Sequence, residues 1–379
     1  MRIVVNALSA RRGGGITYLL NFFYGLGENS DNEFIILTSG PLVFSGRKNV
    51  SHLRVRWPTT SPILRGIWER IVLPNYLRRI EADILFCPGG LITHKTPPGC
   101  KTVTMFRNMI PFDHVQRRKY GYGLQWLRNV LLNYLMRNSM TRADLVIFIS
   151  NYASELIQQI LNGKLKQTVV IPHGLHKRFK TAGLTDIQRS DWLPTDAYLL
   201  YVSIFDVYKN QLEVVRGFHM LKQFRQTSEK LILVGENHNR YGQRVKDEIC
   251  NLGLQDDILL PGAIPYEELP NVYHHAKINI FASECENCPN ILIEALGAGK
   301  PMLVSNRQPM LEFGRDAVVY FDPTSPDDIA EKMISVIDDQ LILDDLSKKA
   351  RELSHSYDWC ITAGLTIRAF NQLYREQPA

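Results

Sequence analysis

A chain of 379 residues exceeds the roughly 250–300 at which a single core stops growing, so two domains are expected. Its 45% apolar and 22% charged residues suit a folded globular protein, and no apolar run reaches the ~18–20 residues that span a bilayer. Six cysteines in this length exclude a disulfide framework, and the net charge of +6 divides into +12 over residues 1–150 and −6 over 151–379. A basic half joined to an acidic half points to an anionic partner for one domain: a membrane surface, a nucleic acid or a phosphorylated substrate.

Met1–Ala10 has too short an apolar stretch for a signal peptide and runs into Arg11 and Arg12. It reads as a buried first strand, and a cytoplasmic location is expected. Gly13-Gly14-Gly15 follows and precedes a helix-compatible run, so the backbone there can approach a phosphate at a helix N-terminus. A plain glycine-rich turn fits the triplet equally. It is not GxGxxG and no acidic residue ends a second strand, which argues against a dinucleotide dehydrogenase.

Continuous apolar runs predict strands at Arg2–Ala7, Phe34–Thr38, Ile84–Cys87, Thr102–Met105, Leu145–Ile149 and Val169–Ile171. Lys101–Arg142 carries eight Lys/Arg against Asp113 alone, interleaved with Trp126, Leu131 and Tyr134. Such a stretch reads either as a membrane-facing or acceptor-facing surface through Arg117, Arg118, Lys119, Trp126 and Arg128, or as a core helix with a solvated basic face. Pro172–Thr195 has Gly, Pro and charges without periodicity and reads as a linker.

A second strand series follows at Tyr198–Val202, Leu231–Val234, Ile278–Ala282, Met302–Ser305 and Val318–Phe321. Strands alternating with helices in each half imply two parallel sheets. The expected division is residues 1–175, a linker at 176–196, a second domain at 197–355, and a tail helix at 356–379 packing on the body. Cys285 and Cys288 form a CxxC, but no second ligand pair stands at finger-like spacing, so buried thiols are expected rather than zinc. The strand ending near Ala282 leads into a loop with Glu284 and Glu286. A helix should start near Pro289 and stop at Gly299. Glu286 then lies above the strand's carboxyl end and Glu294 one turn into the helix, where a ligand of a parallel sheet reaches both. Spacing alone favours the plainer reading, a Glu294 that offsets the helix dipole and a solvated Glu286.

Glu286-x7-Glu294, followed by Ala-Leu-Gly-Ala-Gly-Lys-Pro301, resembles the signature of family 4 retaining glycosyltransferases. Other segments match in order along nearly the whole chain: Val170-Ile-Pro-His-Gly174, Leu199–Asn210, Leu231–Gly235, Leu260–Ile264, Tyr273–Ala276, Glu312 and Phe321-Asp-Pro323. The resemblance implies an α/β GT-B fold, two doubly wound Rossmann-like domains facing a central cleft, with the nucleotide-sugar donor in the C-terminal one. It implies that Glu294 binds the ribose hydroxyls, Glu286 the donor sugar, and Lys209 the leaving diphosphate. Backbone N–H groups near Asn287, Cys288 and Asn290 would assist. Asn210, Gly235, Ile264 and Ile291 would complete the nucleotide-sugar site, with Gly14 and Gly15 opposite.

Breaking the anomeric bond puts charge on the diphosphate, so a fixed cation lowers the barrier. No Asp-x-Asp occurs in the sequence, and no metal or other cofactor is needed to explain the phosphate contact. The chain departs from the family pattern in three places. Ser203 and Ile204 stand where an arginine is usual, and Cys288 and Asn290 where Phe-Gly usually follows the first glutamate. Arg107 and Asn108 stand where His-Asp is usual; Arg107 then serves as a catalytic phosphate or acceptor contact, or as a surface arginine. The implied partners are a nucleotide sugar, a glycan or lipid-linked acceptor and an anionic membrane surface, with no nucleic acid. The implied setting is cell-surface polysaccharide synthesis. The competing readings are a non-catalytic nucleotide-sugar-binding subunit and a sugar-nucleotide epimerase on the same fold.

Overall fold

The computed structural model describes residues 1–10, 14–27, 31–40, 48–57, 59–180, 187–225 and 227–376. Gly13 of the glycine triplet and residues 181–186 of the expected linker lie outside the described residues. In chain order the structure begins with β1 (Arg2–Asn6), α1 (Gly14–Gly25), β2 (Glu33–Thr38), β3 (Val50–Arg54), α2 (Pro62–Ile71) and α3 (Leu73–Arg79). Next come β4 (Ile84–Cys87), β5 (Lys101–Phe106), α4 (His114–Lys119), α5 (Leu124–Arg142), β6 (Leu145–Phe148), α6 (Asn151–Leu161) and β7 (Thr168–Val170). The second series is β8 (Tyr198–Val202), α7 (Gln211–Phe224), β9 (Lys230–Val234), α8 (Arg240–Asn251), β10 (Ile258–Gly262) and α9 (Leu269–His275). It ends with β11 (Ile278–Phe281), α10 (Asn290–Gly297), β12 (Met302–Ser305), α11 (Met310–Gly314), β13 (Val319–Phe321), α12 (Pro326–Ile337), α13 (Gln340–Ser354) and α14 (Trp359–Arg375).

The chain forms two compact units. The first comprises Met1–Pro111, Leu127–Gly174 and Asp358–Ala379; the second, Phe112–Trp126 and Leu175–Tyr357. Among the described residues the first unit holds a parallel seven-stranded sheet of order β3-β2-β1-β4-β5-β6-β7. The strands are apolar on both faces because helices cover both sides: Ile3, Val4, Ile84, Leu85, Val103, Val146 and Ile147 are all buried. The terminal helix α14 belongs here, with the Trp359 ring 5.6 Å from Tyr18 and Phe370 5.2 Å from Phe86. Gly174 permits its close approach, since a Cβ there would meet the Trp359 backbone nitrogen at 2.3 Å.

The second unit holds a parallel six-stranded sheet of order β10-β9-β8-β11-β12-β13. In both sheets the order reverses beside the first strand, between β1 and β4 and between β8 and β11. Loops leaving adjacent strands diverge there and leave a crevice at the carboxyl edge. Apolar-run reading does not find β3 or β10. Both are edge strands: β3 exposes Ser51, His52 and Arg54, and β10 ends in Pro261 and Gly262. Lacking two buried faces, neither needs the continuous apolar pattern.

Candidate functional site

The switch point of the second unit is built from the loops after β8 and β11. The Asp206 carboxylate accepts the Val207 N–H at 2.7 Å and starts a single 3-10 turn, Val207–Lys209. Asn210 closes the turn in the left-handed region at φ 53° and donates its side-chain amide to the Ala282 carbonyl at 3.0 Å. Asn210, expected in the nucleotide-sugar site, is buried, with its side chain a strut between the two loops. The Tyr201 hydroxyl donates to the Lys209 carbonyl at 2.6 Å, fixing the backbone from beneath.

Lys209 is only 4% exposed. Its ammonium lies 4.9 Å from the Tyr208 ring centre and 5.3 Å from that of Phe281, and it pairs with the Glu286 carboxylate. Ser283 donates to the same Glu286 oxygen at 2.7 Å. A buried cation without a carboxylate partner would be costly, so the pair stabilises both loop conformations in the free protein. A diphosphate presented to this site would compete with Glu286 for the lysine.

Glu294 lies in α10, which begins after Pro289 as the sequence predicts. The Tyr266 hydroxyl donates to its Oε1 at 3.0 Å and the Tyr273 hydroxyl approaches Oε2 at 3.5 Å. Part of the residue still reaches solvent, but dense packing around the carboxyl desolvates it and raises it to about 7, against the two tyrosine hydrogen bonds. Tyr266 and Tyr273 are 28 and 21 residues away, and as sequence they carry no sign of this contact. Asn287 and Cys288 are buried, and Asn290 and Ile291 are half-buried at the helix start. The Asn290 N–H donates to the Cys288 carbonyl at 2.9 Å, which closes a turn at the helix start. Cys285 and Cys288 are buried and not joined in a disulfide, and burial holds the Cys285 thiol well above its ordinary range.

Gly235, after β9, adopts φ +150°, and a Cβ there would meet the Ser203 carbonyl oxygen at 1.8 Å. The glycine is required by close passage of the β8 and β9 loops. Ser203, buried, and Ile204, 53% exposed, hold the place where the family arginine is usual. Ile264 is half-buried beyond β10.

The basic segment divides differently from the expectation. Residues 112–126 belong to the second unit, where Lys119 pairs with Glu284 and Gln116 donates to the same carboxylate at 3.1 Å. Arg117 lies 2.8 Å from His114 Nδ1, Arg118 is exposed, and Trp126 packs against Tyr122 at 5.6 Å. Arg128 is exposed in the first unit. The expected single basic face of one domain is therefore not formed, because residues 112–126 belong to the second unit, where Lys119 neutralises a carboxylate of that same unit.

In the first unit, Gly14 and Gly15 are the first residues of α1 rather than a loop before it. Arg107, after β5, donates to the Gly14 carbonyl at 2.6 Å and stacks over the Tyr18 ring at 5.1 Å. The structure thus brings Arg107 and Gly14 together at the carboxyl edge of the sheet. Nearby, a cavity of roughly 520 Å³ is lined by Ile63, Leu91, Leu131, Leu132 and Leu135, with Arg65 and Arg128. Glu69 also lines it, and accepts from Asn6 at 2.9 Å and Thr93 at 3.1 Å. Burial pushes the Glu69 carboxyl up. Its place in an amphipathic helix gave no reason to separate it from a solvated glutamate.

Residues 12–178 match the model of Glycosyltransferase Family 4, and residues 185–353 match that of Glycosyl transferases group 1. The chain belongs to glycosyltransferase family 4. This family 4 chain is 21% identical over 242 residues to O-antigen chain mannosyltransferase B of Escherichia coli, covering 63% of each chain. It is 27% identical over 173 residues to lipopolysaccharide 1,2-N-acetylglucosaminetransferase of Salmonella typhimurium, covering 42% of this chain and 44% of that one. The family 4 chain thus spans under two thirds of the length of these curated relatives. Its fold is that of the Anabaena protein HepE, solved in complex with UDP-glucose, at TM-score 0.73 and 15% identity over 98% and 100% of the chains. The architecture is GT-B. No helix among the described residues is long and apolar enough to cross a membrane.

Proposed function

We propose that this family 4 chain is a retaining glycosyltransferase that moves a sugar from a nucleoside diphosphate donor to a glycan or lipid-linked acceptor in cell-surface polysaccharide synthesis. The observation that carries the reading is the Lys209–Glu286–Ser283 cluster at the carboxyl ends of β8 and β11, with Glu294 on the following helix. A cation beside a carboxylate, one helical span from a second carboxylate, suits diphosphate, sugar hydroxyls and ribose in that order. The names of relatives acting on O-antigen and lipopolysaccharide support the setting.

In this reading Lys209 leaves Glu286 for the diphosphate as the donor binds, and Glu286 turns to the sugar hydroxyls. As the anomeric bond breaks, negative charge grows on the diphosphate beside the lysine, so the attraction is strongest in the transition state. Lys209 supplies that charge without a metal ion, and turnover should persist in EDTA. Arg107 and the start of α1 at Gly14 and Gly15 offer the first unit's own anion contact. The acceptor reading rests on the cavity lined by α2 and α5, where aliphatic walls and the buried Glu69 suit an amphiphile bearing hydroxyls. Peripheral contact with an anionic membrane is proposed through α5, where exposed Arg128 neighbours Leu127, Leu131 and Tyr134, at 58%, 56% and 63% exposed.

The test is incubation with a panel of UDP-, GDP-, ADP- and dTDP-sugars, following hydrolysis or transfer and the anomeric configuration of the product by NMR. One donor should turn over with its configuration kept. Binding without turnover across the panel would favour a non-catalytic sugar-nucleotide-binding subunit, and an inverted product would refute retention.

A further inference from the structure

We propose that residues 112–120 form a clamp that positions both donor-site loops, with Gln116, Lys119 and Tyr120 as positioning residues. The proposal rests on the assignment of the donor to the second unit. The clamp lies between β5 and α5 in sequence, yet it belongs to the second unit. Asp113 caps α4 by accepting the Gln116 N–H at 3.0 Å, which fixes the short helix at its start. From one face of that turn, two side chains converge on Glu284: Gln116 donates to Oε2 at 3.1 Å and Lys119 pairs with Oε1. Just past the helix, the Tyr120 hydroxyl donates to Asp206 Oδ1 at 3.1 Å.

Each target stands immediately beside a proposed donor contact. Asp206 starts the turn that carries Lys209, and Glu284 is two residues before Glu286. The two loops are also tied to one another, because the Glu284 N–H donates to the Tyr208 carbonyl at 2.8 Å. The clamp therefore closes a ring that runs from α4 to Asp206, through Tyr208 to Glu284, and back to α4. The Glu284 side chain is only 9% exposed, so its charge needs the partners it has. Glu213, whose carboxyl burial pushes up, lies within electrostatic reach of both Lys119 and Glu284, which makes the lysine the cation between two acids. None of these residues touches the Lys209–Glu286 pair itself. They act through the loop backbones, where a displacement near 1 Å can cost on the order of a hundredfold in rate.

The test compares wild type with Lys119→Ala/Gln116→Ala, and separately with Tyr120→Phe, which removes one hydroxyl and leaves packing intact. Hydrogen–deuterium exchange on the free protein should rise about tenfold at 204–210 and 283–290, while β8, β9 and β11 exchange as before. Tyr120→Phe should affect 204–210 alone. Combining Lys119→Glu with Glu284→Lys should restore most of the protection. Turnover of the active nucleotide sugar should fall at least tenfold in the double variant, with affinity for UDP, GDP, ADP or dTDP, whichever binds, changed less than threefold. Unchanged exchange in the two loops, or an equal rise across the second unit, would overturn the clamp. If wild type processes no nucleotide sugar, the donor reading fails while the exchange data still decide the clamp.

Discussion

The two units share one sheet topology at their switch points and use it for opposite ends. In the second unit, charged groups are held in pairs before any ligand arrives: Lys209 with Glu286 and Ser283, Glu294 with two tyrosines. In the first, the cavity walls are aliphatic and a single buried carboxyl, Glu69, is anchored by Asn6 and Thr93. Charges already paired at the site, which the donor re-partners on binding, suit a step in which charge develops. Aliphatic walls with a few convergent polar groups, Glu69, Arg65 and Arg128, suit recognition by shape and hydroxyl contacts. On this account the second unit does the chemistry and the first selects what receives the sugar.

The largest expected break in that comparison is Lys209→Ala. Turnover should fall on the order of a hundred- to a thousandfold, with a smaller loss in donor binding, as for removal of a transition-state charge partner. Initial rates over a donor series measure both; a raised Michaelis constant with turnover intact would move Lys209 from the chemistry to ground-state binding.

Next in size is damage to the first unit's cavity. Replacing Leu131 and Leu135, which line the cavity from its solvent-exposed side, with Asp should raise the acceptor Michaelis constant about tenfold, since an apolar ligand group would then have to desolvate a carboxylate. Donor hydrolysis in the absence of acceptor should not change. Equal loss of both activities would erase the division of labour.

The pH dependence sharpens the second unit's side. In the proposed reading, ribose hydroxyls donate to the ionised form of Glu294, and burial raises that carboxyl from 4.5 to about 7. Below about 7 a bound nucleotide must displace a proton, so affinity should rise with pH up to about 7 and level off above it. Between pH 6 and 8 the gain should be about tenfold, with proton release seen as a buffer-dependent binding enthalpy. Glu294→Gln should flatten the profile. The sign for stability is opposite: the free protein loses this residue's contribution as pH rises from 4.5 through about 7, because the folded state holds the proton more tightly.

The smallest effect concerns the surface of α5. Arg128→Gln should weaken sedimentation with phosphatidylglycerol vesicles at low salt by about fivefold, since one basic residue near an anionic surface contributes about 1 kcal/mol. Indifference of the wild type to such vesicles would leave the exposed leucines of α5 without a membrane role.

What the sequence made legible was local. The β11–α10 turn could be read because Pro289 suits a helix start, Gly299 suits a stop, and the strands on either side are continuous apolar runs. The two glutamates stand out through the resemblance of Glu286-x7-Glu294 and its flanking residues to the family signature, since their spacing alone favours a plainer reading. What it hid was tertiary. Tyr266 and Tyr273 meet Glu294 only because β10 and α9 fold back over α10, and nothing in an aromatic residue's neighbours announces a carboxylate partner. Lys119 and Glu284 are 165 residues apart, so the basic run looked like one face when part of it belongs to the other unit. Glu69 sits in α2 one turn after Arg65, a spacing that reads as a solvated ion pair, and only the fold buries it.

The most direct test is isothermal titration of wild type and Glu294→Ala with UDP, GDP, ADP and dTDP at pH 8. The account predicts that one of the four binds the wild type and binds the variant ten- to a hundredfold more weakly, the loss of a charged hydrogen bond of roughly 1.5–3 kcal/mol. Equal affinity for both proteins, or no binding of any of the four, would contradict it.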